Sequence, residues 1–440
     1  MSHDPRQRRR ILMVAYACRP NQGSEPGMGW NRAVQAARDF DTWVLCEGTR
    51  SEPAIRDYVA QHGDVPGLHF VYVPQTRLLR TLARVPGLFY LAYNLWHRRA
   101  LEVARQLQQE LDFDLVHQVT YCGYREPGYT WKLAAPFVWG PVGGTHNYPW
   151  RFLPQAGLLG ALSEGFRSIA NNVQFRCGRR IHQVARQAAI AFAGNSTTQR
   201  HFRDAVGVEM PLMPASGIAE VLGEPRTFRQ DHTLRLLWCG YLHPLKGLPL
   251  VLRALAQLPR DIRYTLRIVG EGPYRRKWQR LAAKLGIADR LEWTGLIPHR
   301  EALQQYQWAD ALVFSSLRDT FPTVVLESLA AGLPVICLDH LGMGDIVTPQ
   351  CGVKVPLTTP AEVIAGLTRA IAGIGKDAQR WEQLSRGAIE RARRYTWSHQ
   401  ADELARYYRQ IMRPQQDSEG ESLSDEESLS SDRSVAECSN

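Results

Sequence analysis

No apolar run among the 440 residues approaches the roughly 18 to 20 that a helix needs to cross a bilayer, so no part of the chain is expected to span one. The eight cysteines form no C-x-x-C pair and do not gather with histidine at ligand spacing, which excludes a zinc ribbon and a disulfide framework. Cys46, Cys239 and Cys337 lie in or at the ends of apolar runs, where cysteine packs as a small hydrophobe. This usage suits a reducing compartment, and the chain is expected to be cytoplasmic and to hold no metal. A nucleic-acid recognition motif is also missing, so charge alone argues for that class. At the amino terminus, Arg8-Arg9-Arg10 precedes an apolar run of only seven residues, Ile11 to Ala17, before Cys18-Arg19-Pro20. Too short and too abruptly ended for a secretory leader, it reads as the first buried strand.

Apolar and basic residues are what the chain has in quantity. A hydrophobic fraction of 44% with twelve tryptophans is enough for sizeable cores, and the length suits two or three domains. The net charge of +10 is uneven: from Pro414 to the end there are eight acids and one base, so the preceding chain carries +17. That Ser, Asp and Glu-rich tail, 414–440, is expected to be disordered. The basic body calls for an acidic partner: nucleotide phosphates, an anionic lipid surface or nucleic acid.

The most informative stretch runs from Ala309 to Leu338. Ala311 to Phe314 is a short apolar run of the kind buried on both faces of a parallel sheet. A polar loop, Ser315 to Thr320, follows. Pro322 suits a first helical turn, where its missing N–H costs nothing, and Val324, Val325, Leu326, Leu329 and Ala330 repeat at helical spacing. Gly332 and Pro334 end that helix before the next strand, Val335 to Leu338. The loop therefore sits at the carboxyl end of a parallel sheet, where open α/β folds bind ligands. It carries Asp319, and the helix carries Glu327. Acceptor-only side chains there can hold sugar hydroxyls, while the helix start at Phe321 to Val324 can hold a phosphate. The plainer alternative is that Asp319 caps the helix and Glu327 is solvated.

Other segments repeat the strand–loop–helix pattern. Leu234 to Cys239 leads into Gly240-Tyr241-Leu242-His243-Pro244-Leu245-Lys246-Gly247, which brings the Lys246 ammonium to a helix start. An exposed lysine without a ligand is the default there. Arg263 to Val269 leads into Gly270-Glu271-Gly272-Pro273, and Leu291 to Thr294 into Gly295 to His299. Near the amino terminus, Gly23, Gly27 and Gly29 precede a helix and allow close approach to a phosphate, or simply make a turn. The strand Phe113 to His117 ends in a histidine that is either structural or part of an acceptor site. Two stretches, 76–107 and 150–186, mix arginine with aromatics. They read as helices lying on an anionic membrane, or as solvated arginine over a core face.

These pieces, in this order, resemble the retaining group 1 glycosyltransferases of GT-B fold. Asp319 to Glu327, with Ala331-Gly332-Leu333-Pro334-Val335 after it, is similar to that family's E-x7-E region in a D-x7-E form. The Gly240 to Gly247 loop is similar to G-R-l-x-x-x-K-G, with Tyr241 in place of the arginine. Gly270 to Pro273 resembles the G-x-G-P turn, and Gly23 to Trp30 a glycine loop facing the inter-domain cleft. His117 matches the histidine ending a "DVVH" strand, whereas Gly140-Pro141 occupies the place of a second histidine. Tyr395-Thr396-Trp397 and the helix to Met412 resemble the family's terminal crossover helix.

The resemblance implies two Rossmann-like, doubly wound α/β domains with a cleft between them. Residues 1–219 would form the acceptor-side domain, 220–233 a linker, 234–395 the nucleotide-sugar domain and 396–413 a helix returning to the first domain. The implied activity is a retaining, metal-independent transfer of a sugar from a nucleotide-diphosphate donor to a glycan or lipid-linked acceptor, in polysaccharide or glycoconjugate biosynthesis. No cofactor is implied beyond the donor itself. Lys246, Asp319, Glu327 and His117 would be the catalytic residues. Gly27, Gly240, Gly270, Gly272, Arg318, Thr320, Phe321, Thr323 and Val324 would hold the donor, with Glu327 on its ribose and Asp319 on a sugar hydroxyl. Peripheral contact with the inner face of an anionic membrane is expected from the basic helices. The competing class is a degenerate, membrane-bound relative that holds a nucleotide sugar or glycan without turnover.

Overall fold

The computed structural model describes residues 8–413, apart from 83–84, 86–87, 122, 222 and 230–232. The acidic tail expected from 414 onward lies outside the described residues.

Two six-stranded, all-parallel sheets form the framework. The first contains β1 (Arg10–Ala15), β2 (Asp41–Glu47), β3 (Leu68–Val73), β4 (Leu115–Thr120), β5 (Phe137–Val142) and β6 (Ile190–Ala193), in the order β3-β2-β1-β4-β5-β6. The second contains β7 (Thr233–Cys239), β8 (Arg263–Val269), β9 (Leu291–Gly295), β10 (Ala311–Phe314), β11 (Val335–Asp339) and β12 (Gly352–Pro356), in the order β12-β11-β10-β7-β8-β9. The short run after the amino-terminal arginines is β1, and Ile11 to Ala15 are fully buried because helices cover both faces of its sheet. In each sheet the chain starts near the middle, winds outward, then returns to the other side. The order reverses between β1 and β4 and between β7 and β10, and such switch points open crevices beyond the strand ends.

Each domain has its own core, and tryptophan anchors both. Trp96 and Trp139 lie under the first sheet; Trp238, Trp278 and Trp381 lie in the second domain. Trp381 is 1% exposed, and its indole N–H donates to the Asp310 carbonyl at 2.6 Å. Its ring also packs against Phe228, just past the inter-domain passage. Removing so large a buried ring leaves a cavity and an orphaned carbonyl. Trp381→Ala is expected to cost about 3–5 kcal/mol of stability, read as a lowered denaturation midpoint of the second domain. A change below about 1 kcal/mol would contradict this packing.

The chain passes between the domains twice, and the two passages pair. Ile218 N–H donates to the Tyr395 carbonyl at 3.0 Å, and Trp397 N–H donates to the Ile218 carbonyl at 2.9 Å. The final helix, Trp397–Ile411, then packs on the first domain. Its Leu404, Ala405 and Tyr408 join Ile11, Phe40 and Phe192 in one apolar cluster, and Gln400 accepts from Arg32 at 2.7 Å. Polar contacts also clamp the domains. Asn195 caps the helix Ser196–Val206 by accepting from Thr198 N–H at 2.8 Å, while its amide donates to the Thr320 carbonyl at 3.0 Å. Asp345 of the second domain accepts from the N–H and hydroxyl of Ser196 at 2.7 and 2.6 Å.

The two basic, aromatic stretches behave differently. In the helix Phe89–Leu111, Tyr93, Trp96, Ala100 and Ala104 are core, while Tyr90 and Leu91 at its start are 46% and 50% exposed. In the helix Gly157–Cys177, Leu158, Leu159, Leu162, Phe166, Ile169 and Val173 are 57–83% exposed. Their three- and four-residue spacing makes one continuous apolar stripe. Among the described residues no helix is long and apolar enough to cross a membrane.

Candidate active site

A cleft of about 1160 Å3 lies between the carboxyl ends of the two sheets. The first domain contributes Gly23, Ser24 and Met28 from the loop and helix after β1, and the rings of Phe89, Tyr90, Tyr93 and Tyr121. Facing them are the loops after β7, β8, β9 and β10.

After β7, a single turn at Pro244–Lys246 carries Lys246 to the cleft wall. Its ammonium lies 2.5 Å from the Asp319 carboxylate, which belongs to the loop after β10. Asp319 is therefore an ion-pair partner rather than the helix cap that its position also allowed. The helix Thr323–Ala330 has Pro322 at its N-cap and no side chain capping its first turn. Thr320, Phe321, Thr323 and Val324 all line the cleft at that positive helix end. One and a quarter turns into the helix, Glu327 also faces the cleft, and it is not simply solvated. Its two oxygens are 2.8 Å from His299 Nε2 and 2.8 Å from the Tyr306 hydroxyl, respectively. The hydrogen bond that His299 donates to Glu327 raises the His299 pKa above its ordinary value, against a smaller opposing effect of burial. Burial, reinforced by the Glu327 charge, pushes the Tyr306 hydroxyl far up, so Tyr306 is a fixed donor.

The glycines near these loops divide by role. Gly240, Gly270 and Gly272 line the cleft. Gly270 has φ 137°, and a Cβ there would lie 2.0 Å from the Gly240 carbonyl oxygen, so the loops after β7 and β8 touch backbone to backbone. Gly27 does not face the cleft. A Cβ on it would meet the Gln22 carbonyl at 1.8 Å, so it is a packing glycine inside its own loop, and Gly23 takes the exposed place.

Two further expectations are corrected. His117 is 1% exposed, with Nε2 2.7 Å from the Gly140 carbonyl and Nδ1 bonded to the Tyr408 hydroxyl. Burial pushes its pKa down to about 3, so it stays neutral and ties β4 to the last helix instead of facing the acceptor side. Arg318 turns away from the cleft to the first domain, where its guanidinium pairs with Glu164 at 2.5 Å. It joins the domains and does not line the donor wall.

Sequence reasoning missed Tyr306 and gave His299 no role. Both lie on the helix His299–Trp308, seven residues apart and so on one face. Phe89, Tyr90 and Tyr93 of the aromatic wall fall in the basic stretch 76–107, whose pattern suits a membrane face or a core, and Tyr121 carries no local signal. Among the described residues no group of His, Cys, Asp and Glu could hold a metal ion.

Residues 226–388 match the family model described as glycosyl transferases group 1. The chain is 30% identical over 188 residues to a D-inositol 3-phosphate glycosyltransferase of Stackebrandtia nassauensis, covering 40% of this chain and 42% of that protein. It spans about two fifths of such curated relatives. Among solved structures, sucrose-phosphate synthase from Thermosynechococcus elongatus superposes with a TM-score of 0.60 at 17% identity, over 92% of this chain and 99% of that one. Anabaena HepE, solved in complex with UDP-glucose, gives 0.57 at 16% identity, over 91% and 99%. Two doubly wound domains about a cleft are the GT-B architecture, and this chain has it. Residues 226–388, under half of the chain, are thus similar in sequence to the group 1 glycosyltransferases.

Proposed function

We propose that the protein transfers a sugar from a nucleotide-diphosphate donor to a glycan or lipid-linked acceptor, with retention at the anomeric carbon and without a metal ion. The observation that carries this reading is the convergence of Lys246, the first turn of Thr323–Ala330 and Glu327 on one cleft wall. Departure of a diphosphate builds charge on its oxygens. An ammonium and preorganised N–H dipoles at that point stabilise the transition state more than the ground state. Lys246 supplies the first and the helix end the second. Glu327, already held by Tyr306, is an acceptor for ribose hydroxyls. Asp319 orients Lys246 and offers its second oxygen to a hydroxyl of the donor sugar. The charge of Lys246 and the helix dipole take the part that a divalent cation plays elsewhere.

Screening UDP-, GDP- and ADP-sugars for a raised melting temperature, followed by nucleotide release, tests this. A donor that binds and is cleaved supports transfer. Binding without turnover by any acceptor would favour the degenerate binding class, to which Tyr241, 59% exposed in the cleft at the place of the family's arginine, gives some support.

The Glu327 contact adds a pH signature. His299 holds its proton more tightly while bonded to Glu327, so that pair is complete below the ordinary imidazole pKa of about 6.5 and is lost as pH rises through the raised value. A ribose that takes over Glu327 lets His299 release its proton. Donor affinity is therefore expected to rise with pH across that window, with proton release measurable by calorimetry in buffers of different ionisation enthalpy. His299→Ala should abolish the proton release. Its persistence would put the ribose elsewhere.

The lipid side of this reading rests on the helix Gly157–Cys177. An apolar stripe this exposed is unusual on a soluble surface and suits the boundary of a bilayer. Arg151, Arg176 and Arg179, all exposed beside it, favour an anionic one.

A further inference from the structure

Beyond the donor wall, a second recess of about 110 Å3 opens at the carboxyl ends of β1, β2 and β3. Three guanidinium-bearing residues line it: Arg19 after β1, Arg50 at the start of the helix Ser51–His62, and Arg80 in the helix Arg77–Leu82. The one carboxylate there, Glu47, is already engaged. It accepts from the backbone N–H groups of Thr49, Arg50 and Ser51 at 2.8, 3.0 and 3.1 Å, and it lies 3.7 Å from Arg19. Neither Arg50 nor Arg80 has an ion pair among the described residues. The recess thus keeps a surplus of positive charge at the end of a parallel sheet, walled by protein that lowers screening. Phe89 and Tyr121 line both this recess and the main cleft, so the two spaces are adjoining.

This arrangement has a chemical preference. Guanidinium forks match the oxygens of a tetrahedral phosphate, and several of them around one small space suit a doubly charged group better than a neutral hydroxyl. The volume admits a phosphate-sized group and not a second nucleotide. The opposite side of the cleft already has Lys246 and a helix start for the donor, so this charge lies on the side where the acceptor must approach.

We propose that the recess seats a phosphate carried by the acceptor, which makes the acceptor a phosphorylated sugar or polyol, free or joined to a lipid through that phosphate. The inference rests on the transferase reading for the word acceptor; the phosphate site stands without it. Lys246→Ala serves as the background, because the Lys246 ammonium would otherwise bind a free, doubly charged phosphate as it binds the departing diphosphate. In that chain, inorganic phosphate is expected to bind, and adding Arg50→Gln and Arg80→Gln should weaken it at least tenfold. Equal binding with and without the two arginines would overturn the site.

Turnover then separates the sources. With Lys246 intact, Arg50→Gln/Arg80→Gln should leave donor hydrolysis in water unchanged. It should cut at least tenfold the acceleration given by hexose phosphates or by vesicles carrying a phosphate-linked lipid saccharide, whichever is active. Acceleration by hexose phosphates names a free acceptor, and acceleration by the vesicles alone a lipid-linked one. Equal acceleration of both proteins by a neutral glycan would overturn the proposal. No donor hydrolysis by the unaltered protein would count against the transferase reading, while phosphate binding would still report on the recess.

Discussion

Lys246→Ala is expected to lower donor turnover by a factor of about 100–1000 while changing donor affinity little. The asymmetry follows from when its charge matters. The ammonium faces a diphosphate whose negative charge grows as the bond to the anomeric carbon breaks, so its contribution appears mainly in the transition state. Glu327→Ala should act differently, weakening donor binding first, because ribose hydroxyls are held alike in both states. It would also leave the buried Tyr306 hydroxyl without its acceptor, at about 1–3 kcal/mol of stability. Glu327→Gln keeps an acceptor for Tyr306 and separates that fold effect from the binding effect. Steady-state kinetics on the three variants decides the matter. A Lys246→Ala protein with full turnover would remove this lysine from the chemistry.

Leu159→Asp combined with Phe166→Asp is expected to lower binding to anionic vesicles about 100-fold or more. Burying a leucine or phenylalanine in apolar surroundings is worth about 1.5–3 kcal/mol each, and a carboxylate adds repulsion at an anionic surface. Both residues are at least 75% exposed, so the melting temperature should stay where it was. Flotation of the variant and the parent with phosphatidylglycerol vesicles measures it. Equal flotation would mean that the stripe meets something other than lipid.

Much of the scaffold could be read from local pattern. Ile11 to Ala15, Leu234 to Cys239 and Ala311 to Phe314 are apolar runs too short for helices and bounded by turn residues, and each is a buried strand. Asp319 and Glu327 were found because the loop and helix that carry them are contiguous in sequence. Gly27 packs on Gln22 of its own loop, but the other two misplaced residues have partners far along the chain. His117 meets Tyr408, 291 positions later, and nothing near His117 announces that. Arg318 finds Glu164 across the domain interface, 154 positions away. A strand-end histidine and a loop arginine look alike whether they face substrate or a neighbouring domain. The two amphipathic helices were indistinguishable for a related reason. Composition shows that a helix has an apolar face, and only packing decides whether that face is covered.

The paired passages at Ile218 and Tyr395–Trp397 make the first domain a discontinuous object. Its apolar surface around Ile11, Phe40 and Phe192 is closed by a helix encoded nearly two hundred residues downstream. Recombination that exchanged amino-terminal halves among such proteins would therefore hand each graft a foreign lid. The fifteen-residue helix Trp397–Ile411 has to travel with the half it covers, although the whole second domain lies between them in the chain.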